Sequence, residues 1–227
     1  MNKNDYERRY TMEIQGVIFD LDGVIVTTDN CHYLAWKKMA DEEGIPFDRN
    51  VNERLRGVSR MESLEIVLER AQKSYTDADK QALASGKNAY YVEYIKGLTA
   101  LDILPGVQAN LDELRRAGIK IAIGSSSKNT PIILRQIGLA SAFDAVADGN
   151  HIKNSKPDPE VFLKAAEFLD IPAKNCLVVE DADAGIIAAK RAGMKTISVN
   201  KAQGADFHCD SLDGVSILKL LTEVEGK

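Results

Sequence analysis

The length, composition and charge of the chain exclude several classes of protein. With 227 residues and 44% hydrophobic content, it can bury the core of one large domain, or of one domain with an insert. Its net charge of −5 argues against nucleic acid or an anionic membrane surface as a partner. Cys31, Cys176 and Cys209 are odd in number and far apart, unlike a disulfide framework or a zinc knuckle, which favours a reduced cytoplasm.

Residues 1–12 carry several charges and no long apolar run, and we expect them to form a disordered extension. No later run is long enough to span a membrane. The first strand is predicted within Ile14–Asp22, an apolar run that ends at two carboxylates, Asp20 and Asp22. In an open α/β sheet both acids would lie at the ligand crevice, where a hard cation such as Mg²⁺ would relieve their repulsion. A polar turn without any functional role explains the sequence Asp20–Gly23 equally well.

The segment from Thr28 to about Leu98 predicts helices and no strand. Its apolar residues follow helical spacing in two stripes, which are Met61, Leu64, Leu68 and Ala71, and then Tyr91, Tyr94, Ile95 and Leu98. A loop is predicted at Arg56–Arg60, where the sequence is R-G-V-S-R. Because this helical block follows the first strand directly, we expect it to lie as a cap over the carboxyl edge of the sheet.

After Pro105 the predicted elements alternate between helix and strand. They are a helix over 107–118, a strand over 119–123, a helix through 134 closing at Gly138, a strand over 143–147, a helix with Asp158 as N-cap and Pro159 at its first position, a strand over 176–179, a helix over 183–193 and a strand over 196–199. This alternation predicts an α/β fold with a doubly wound, Rossmann-like parallel sheet. We predict a core domain of residues 13–27 and 102–227, with an inserted all-helical cap domain of residues 28–101.

Several predicted strands lead into reactive side chains at the same edge of the sheet. These are Asp20 and Asp22, Ser125, Lys156 slightly further along its loop, and Glu180 with Asp181. Carboxylates with Mg²⁺, a hydroxyl and a lysine suit a phosphoryl group whose charge must be neutralised during transfer. Asp20 is the candidate nucleophile, which would form an aspartyl phosphate, and Asp22 is the candidate acid and base. The residues therefore predict phosphoryl transfer.

Four motifs resemble the haloacid dehalogenase-like superfamily over nearly all of the chain after residue 12. They are D-L-D-G at Asp20–Gly23, G-S-S-S-K-N at Gly124–Asn129, S-K-P-D-P at Ser155–Pro159 and V-E-D at Val179–Asp181. Asp22 is typical of the members that transfer phosphoryl groups, since the dehalogenase branch normally lacks it. The resemblance implies that Mg²⁺ is held by Asp20, the Asp22 main-chain carbonyl, Glu180 and Asp181. It also implies that Ser125 and Lys156 grip the transferred phosphoryl group, and that the Lys156–Pro157 bond is cis.

The cap resembles that of the sugar-phosphate mutases in this superfamily. The residues that carry this resemblance are Thr28, His32, Trp36, the loop Arg56, Gly57, Val58, Ser59 and Arg60, then Ser63, and Ser127, Lys128 and Asn129 in the core. It implies that Arg60, Ser127, Lys128 and Asn129 clamp a second, distal phosphate, while His32 and Trp36 line the closed site. Gly23 and Ser126 complete the expected substrate-binding set. One departure is Thr27, where many relatives carry an acid.

The implied reaction interconverts β-D-glucose 1-phosphate and glucose 6-phosphate through phospho-Asp20, with β-glucose 1,6-bisphosphate as the activating intermediate. A sugar-phosphate phosphatase with the same nucleophile is the main alternative, because water needs no second phosphate grip. A catalytically silent, Mg²⁺-dependent phosphate-binding module is the other. Taken singly, Arg56 and Arg60 also fit a solvated pair, and His32 and Trp36 fit a helix core. We expect a cytoplasmic monomer that acts on small sugar phosphates.

Overall fold

The computed structural model describes residues 13–55, 58–200 and 202–224. The predicted extension of residues 1–12 and the loop residues Arg56 and Gly57 lie outside the described residues. No helix in the described part of the chain combines the length and the apolar character needed to cross a bilayer.

Within the described residues, six parallel strands form one sheet in the order β3-β2-β1-β4-β5-β6. The strands are β1 (Gly16–Phe19), β2 (Lys120–Gly124), β3 (Ala145–Ala147), β4 (Cys176–Glu180), β5 (Lys195–Val199) and β6 (Phe207–Cys209). Every residue of β1 and β4 is buried, because helices cover both faces of the sheet. The predicted doubly wound α/β fold is confirmed, with β1 at its centre between β2 and β4.

The helices fall into two groups. Those between β1 and β2 that form the cap are α1 (Asp29–Glu42), α2 (Arg49–Glu53), α3 (Arg60–Leu68) and α4 (Asp77–Ile95). Those that flank the sheet are α5 (Val107–Ala117), α6 (Thr130–Gln136), α7 (Glu160–Leu169), α8 (Asp183–Arg191) and α9 (Ile217–Val224). Short 3-10 turns occupy Ala100–Asp102 and Ala173–Asn175.

The cap is inserted after the first strand, as expected. The Leu104 N–H donates to the Ile25 carbonyl at 2.9 Å, and Val26 pairs with Ile103, so the outgoing and returning segments lie side by side. The cap has its own core, in which Trp36 and Leu64 are fully buried. The domain limits near Thr27 and Leu101 remain a prediction.

Several predicted boundaries were wrong by a residue or a turn. Helix α7 begins at Glu160 with Pro159 as its N-cap in place of the predicted Asp158, whose Oδ1 accepts the Glu160 N–H at 3.0 Å. Arg60 opens α3 instead of ending a loop, because the preceding serine and Glu62 form a capping box. The apolar stripes of the cap were one turn too long, since Ala71 and Leu98 lie beyond the ends of α3 and α4. Strand β6 and helix α9 were not predicted.

Candidate active site

Three carboxylates meet where β1 and β4 end. Asp20 follows β1, Glu180 ends β4, and Asp181 comes next; one oxygen of each lies within 4.8 Å of those of the other two. We call these three residues the acidic cluster. They come together because β1 and β4 are parallel neighbours with Phe19 in register with Val179, so both chains reach the same edge. Asp20 and Glu180 are buried, and Asp181 is partly buried.

Lys156 ties two members of the acidic cluster together. Its Nζ lies 2.5 Å from Asp20 Oδ1 and 2.8 Å from Glu180 Oε2. The other Glu180 oxygen, Oε1, accepts the main-chain N–H groups of Asp181 and Ala182, each at 3.0 Å. The Lys156–Pro157 bond is cis, as the resemblance implied. The glutamate is therefore fixed from both sides.

Among the described residues, Lys156 is the cation that pairs with the acidic cluster, which leaves the three carboxylates with surplus negative charge. Burial raises the pKa of Asp20, and the neighbouring carboxylates add to the rise while Lys156 opposes it. Burial, followed by the charges of Asp20 and Glu180, raises the pKa of Asp181 to about 8. Burial alone would lower the pKa of Lys156, but Asp20 and Glu180 raise it, so that this lysine stays protonated. An all-oxygen site with surplus negative charge fits Mg²⁺.

Two glycines give the acidic cluster its space. Gly23 has a φ of 86°, and a Cβ on it would fall 2.0 Å from Asp181 Oδ2. A Cβ on Gly185 in α8 would fall 1.9 Å from Glu180 Oε2. Gly23 was expected among the substrate-binding residues, and the structure places it against a carboxylate of the acidic cluster.

Asp22 is not a member of the acidic cluster, and its carboxylate is hydrogen-bonded to the start of the cap. Thr28 donates its main-chain N–H to Asp22 Oδ1 at 2.7 Å and its hydroxyl to Oδ2 at 2.6 Å. The Tyr91 hydroxyl in turn donates to Thr28 Oγ1 at 3.0 Å. The candidate acid and base is therefore hydrogen-bonded to the segment that joins core and cap.

The loop after β2 holds the predicted serines in a compact turn. Ser125 is buried and its Oγ accepts the Ser127 N–H at 3.2 Å, while Ser127 Oγ accepts the Asn129 N–H at 3.2 Å. In the described part of the chain the buried Ser126 hydroxyl has no hydrogen-bond partner. Lys128 is exposed.

A second polar group joins the cap to the core. Arg60 Nη2 and Asn129 Nδ2 both donate to Asn88 Oδ1, each at 2.9 Å. We call Arg60 and Asn129 the distal clamp. Of the neighbouring predicted residues, Val58 is exposed, Ser59 caps α3 and Ser63 is buried in α3.

His32 and Trp36 surround a buried lysine. Lys87 Nζ lies 2.9 Å from His32 Nδ1 and 4.6 Å from the centre of the Trp36 ring. Burial, and then the charge of Arg60, lower the pKa of Lys87 to about 7. Burial, Lys87 and Arg60 hold the pKa of His32 well below its usual value, so the imidazole is neutral where it is hydrogen-bonded to the lysine. His32 also stacks on Tyr91, with ring centres 4.1 Å apart.

Sequence reasoning missed Lys87, Asn88 and the contact of Tyr91 with Thr28. A signal for the lysine was present, because Ala84, Lys87, Tyr91 and Ile95 recur at helical spacing and form the buried face of α4. A lysine within an apolar stripe is a candidate functional residue, since lysine is rarely buried without a role.

A parallel sheet with an inserted helical cap, and with acids bridged by a lysine at the sheet edge, is typical of one class of phosphoryl-transfer proteins. The chain belongs to the haloacid dehalogenase-like hydrolase family, whose model matches residues 14–193. It is 47% identical to β-phosphoglucomutase of Bacillus subtilis over 199 residues, covering 86% of this chain and 88% of the relative. It is 31% identical to a phosphorylated carbohydrates phosphatase of Thermotoga maritima, covering 81% and 84%. The crystal structure of β-phosphoglucomutase from Clostridium difficile superposes with a TM-score of 0.86 at 39% identity, covering 94% of this chain and all of that one.

Proposed function

We propose that the protein is a β-phosphoglucomutase, an isomerase that interconverts β-D-glucose 1-phosphate and glucose 6-phosphate. The observation that carries the proposal is the presence of two separate sets of groups suited to phosphate. One is Asp20 with Lys156 and Ser125 at the sheet edge, and the other is the distal clamp between cap and core. A mutase needs both, because its bisphosphate intermediate carries one phosphate at each end. The 47% identity to the Bacillus subtilis enzyme supports the same activity.

Asp20 is the proposed nucleophile. Its carboxylate oxygen forms a bond to phosphorus while the bond from phosphorus to the donor oxygen breaks. Lys156, which stays protonated between Asp20 and Glu180, balances charge on the transferred group, and Ser125 donates a hydrogen bond to it. Asp20, Glu180, Asp181 and the Asp22 carbonyl would hold Mg²⁺, which would supply further positive charge for the phosphoryl oxygens.

Asp22 is the proposed acid and base. It takes a proton from the O6 hydroxyl of β-glucose 1-phosphate as this oxygen attacks phospho-Asp20, which yields β-glucose 1,6-bisphosphate. The bisphosphate then turns end for end. Asp20 takes the phosphoryl group from O1, Asp22 returns the proton to O1, and glucose 6-phosphate leaves. Closure of the cap, with Arg60 on the distal phosphate, would exclude water from the aspartyl phosphate.

A sugar-phosphate phosphatase is the second candidate, and the Thermotoga maritima relative favours it. In that reaction water takes the place of the sugar hydroxyl. The test supplies Mg²⁺ and a trace of β-glucose 1,6-bisphosphate, then follows glucose 6-phosphate and free phosphate from each anomer of glucose 1-phosphate. We expect glucose 6-phosphate in excess from the β anomer. Phosphate in excess would overturn the mutase proposal.

Asp20→Asn should abolish turnover and acid-labile labelling of the protein by a phosphoryl donor. Persistent labelling would remove Asp20 from the nucleophilic role. A catalytically silent module would bind phosphate without any modification of Asp20.

We also propose that the enzyme is a cytoplasmic monomer in which residues 28–101 move as a cap on the remaining core. Its three cysteines are free thiols, which supports a reducing compartment. Sedimentation of the purified protein at several concentrations tests the monomer.

A further inference from the structure

Asn88 lies where two donors of the distal clamp converge. Its Oδ1 accepts from Arg60 Nη2 and from Asn129 Nδ2, each at 2.9 Å. We propose that Asn88 is a positioning and specificity residue, whose neutral amide oxygen aligns the clamp and marks the place that an oxygen of the distal phosphate takes in the complex. The inference rests on the proposed function, since it concerns the second phosphate of the substrate.

The two hydrogen bonds come from different parts of the fold. Arg60 opens α3 and Asn88 lies within α4, both in the cap, whereas Asn129 directly precedes α6 in the core and is buried. The bond between the two asparagines therefore crosses from cap to core. An amide oxygen can accept two hydrogen bonds, and Asn88 Oδ1 accepts one from each of the two side chains. A phosphate oxygen accepts from the same two kinds of donor, and more strongly because it is charged.

Asn88 is uncharged although it contacts a guanidinium group. Arg60 is partly buried and stays charged at any physiological pH, yet the hydrogen bond that the structure gives it goes to an uncharged amide. Lys87, the adjacent residue in sequence, is bonded to the neutral imidazole of His32. A carboxylate at position 88 would neutralise the guanidinium, whereas an asparagine aligns it and leaves its charge for an anionic ligand.

Two substitutions distinguish this role from a purely structural one, in which Asn88 only holds cap and core together; we call that alternative a brace. Asn88→Asp retains the size of the side chain and acceptors for both hydrogen bonds, but it adds a negative charge. Asn88→Ala removes the acceptor without adding charge. A brace predicts that the aspartate variant is milder than the alanine variant. The proposal predicts the opposite order, because the aspartate repels the phosphate and pairs with Arg60.

The experiment measures kcat and KM for isomerisation of β-glucose 1-phosphate by the Mg²⁺-loaded full chain. We expect Asn88→Asp to raise KM by about tenfold or more and Asn88→Ala by about threefold, with smaller changes in kcat. Phosphorylation of Asp20 by acetyl phosphate, which carries no second phosphate, should change less than twofold in either variant. Asn50→Asp, which adds the same charge at an exposed position in α2, is the matched control and should leave both assays unchanged.

The proposal is overturned if Asn88→Asp is no worse than Asn88→Ala, or if the acetyl phosphate reaction falls in parallel with isomerisation. Thermal melting of each variant shows whether either one has simply lost its fold. Should the wild type release phosphate instead of isomerising the sugar, the mutase proposal fails. The same comparison of KM is then made on that hydrolysis, so the two proposals fail separately.

Discussion

Both carboxylate oxygens of Asp22 accept hydrogen bonds from Thr28, the residue immediately before the first cap helix. The Tyr91 hydroxyl on α4 reaches the same threonine. In this arrangement the carboxylate of the proposed acid and base is held by the residue at the start of the cap. If the cap moves as proposed and displaces Thr28, we expect Asp22 to be released toward the reacting oxygens.

Thr28→Val tests this coupling. The variant loses the hydroxyl that donates to Asp22 Oδ2 but keeps the main-chain N–H bond to Oδ1. We expect Asp22 to be freer to activate water in the open enzyme, so that phospho-Asp20 hydrolyses about tenfold faster, in keeping with the loss of one hydrogen bond to a charged group. The measurement is the decay of protein labelled with acetyl phosphate. Tyr91→Phe, which leaves both bonds to Asp22 intact, should have a smaller effect; equal effects would argue against Thr28 as the restraint.

Mg²⁺ should stabilise the fold by relieving repulsion within the acidic cluster. At about 100 times its dissociation constant the ion would add roughly 2.7 kcal/mol, or about 5 to 10 °C in Tm. Asp181→Asn should melt higher than the wild type in a chelator, lose most of the response to Mg²⁺ and lose isomerisation. Asp210→Asn, a change of the same charge at a fully exposed side chain, should retain the full response. An unchanged Mg²⁺ response in Asp181→Asn would exclude this carboxylate as a ligand.

Gly185→Ala should weaken Mg²⁺ binding although alanine favours helices. The gain in helix propensity is about 1 kcal/mol, but the added Cβ would lie 1.9 Å from Glu180 Oε2, and Lys156 with two N–H groups prevents that carboxylate from moving away. We expect at least about a tenfold loss in Mg²⁺ affinity by calorimetry.

Two variants serve as controls for Gly185→Ala. Gly86→Ala in α4, where a Cβ meets nothing within 4 Å, should leave Mg²⁺ affinity unchanged. Shortening the acid in the Gly185→Ala, Glu180→Asp double variant should restore part of the affinity. If the double variant binds no better than Gly185→Ala alone, the steric explanation is wrong.

We expect Lys87 to make the stability of the protein depend on pH near neutrality. Burial lowers its pKa from 10.5 to about 7 in the folded protein, so the unfolded chain binds the extra proton between these values. The charged lysine therefore costs stability below pH 7, and this cost declines as the pH rises from 7 toward 10.5. Lys87→Met should be more stable than the wild type at pH 6, with a gap that narrows toward pH 10.

Protonation of Lys87, which lowers the stability of the fold, should increase catalytic activity. A protonated Lys87 favours an anionic substrate, so kcat/KM of the wild type should fall as the pH rises above 7. Lys87→Met should be slower below pH 7 and should lack this fall. Lys96→Met, at an exposed position, is the matched control. Persistence of the fall in Lys87→Met would assign it to another group.

The members of the acidic cluster could be placed together from the sequence because they lie at the ends of strands or directly after them. Phe19 and Val179 belong to short apolar runs that end at the same edge of a parallel sheet, so local pattern and topology together bring Asp20 near Glu180. Strand β6 was missed because it lacks such an apolar run. Phe207–Cys209 is three residues long and only partly buried, which leaves no periodicity to detect. Helix α9 carried a detectable signal in Ile217, Leu220 and Leu221, at helical spacing.

The contacts of the cap could not be predicted from local pattern. Asn88 contacts Arg60, which is 28 residues away in the sequence, and Asn129, which is 41 residues away. A pattern read over the length of one helix cannot reveal contacts between residues so far apart. The orientation of Asp22 toward Thr28 likewise depends on how the chain turns after β1. The resemblance of the motifs predicted which residue types occur at the site. The hydrogen-bond partners of Asn88 and Asp22 could be identified only from the three-dimensional structure.

Helix α4 contains both Asn88, which contacts the distal clamp, and Tyr91, one turn further along, which contacts Thr28. The two contacts are therefore made by the same helix. Because each residue of an α-helix turns by about 100°, inserting a single residue between these positions would rotate one contact away from its partner while the other stayed in place. In the proposed mechanism this helix links recognition of the distal phosphate to the position of Asp22, and we expect that insertion to uncouple the two.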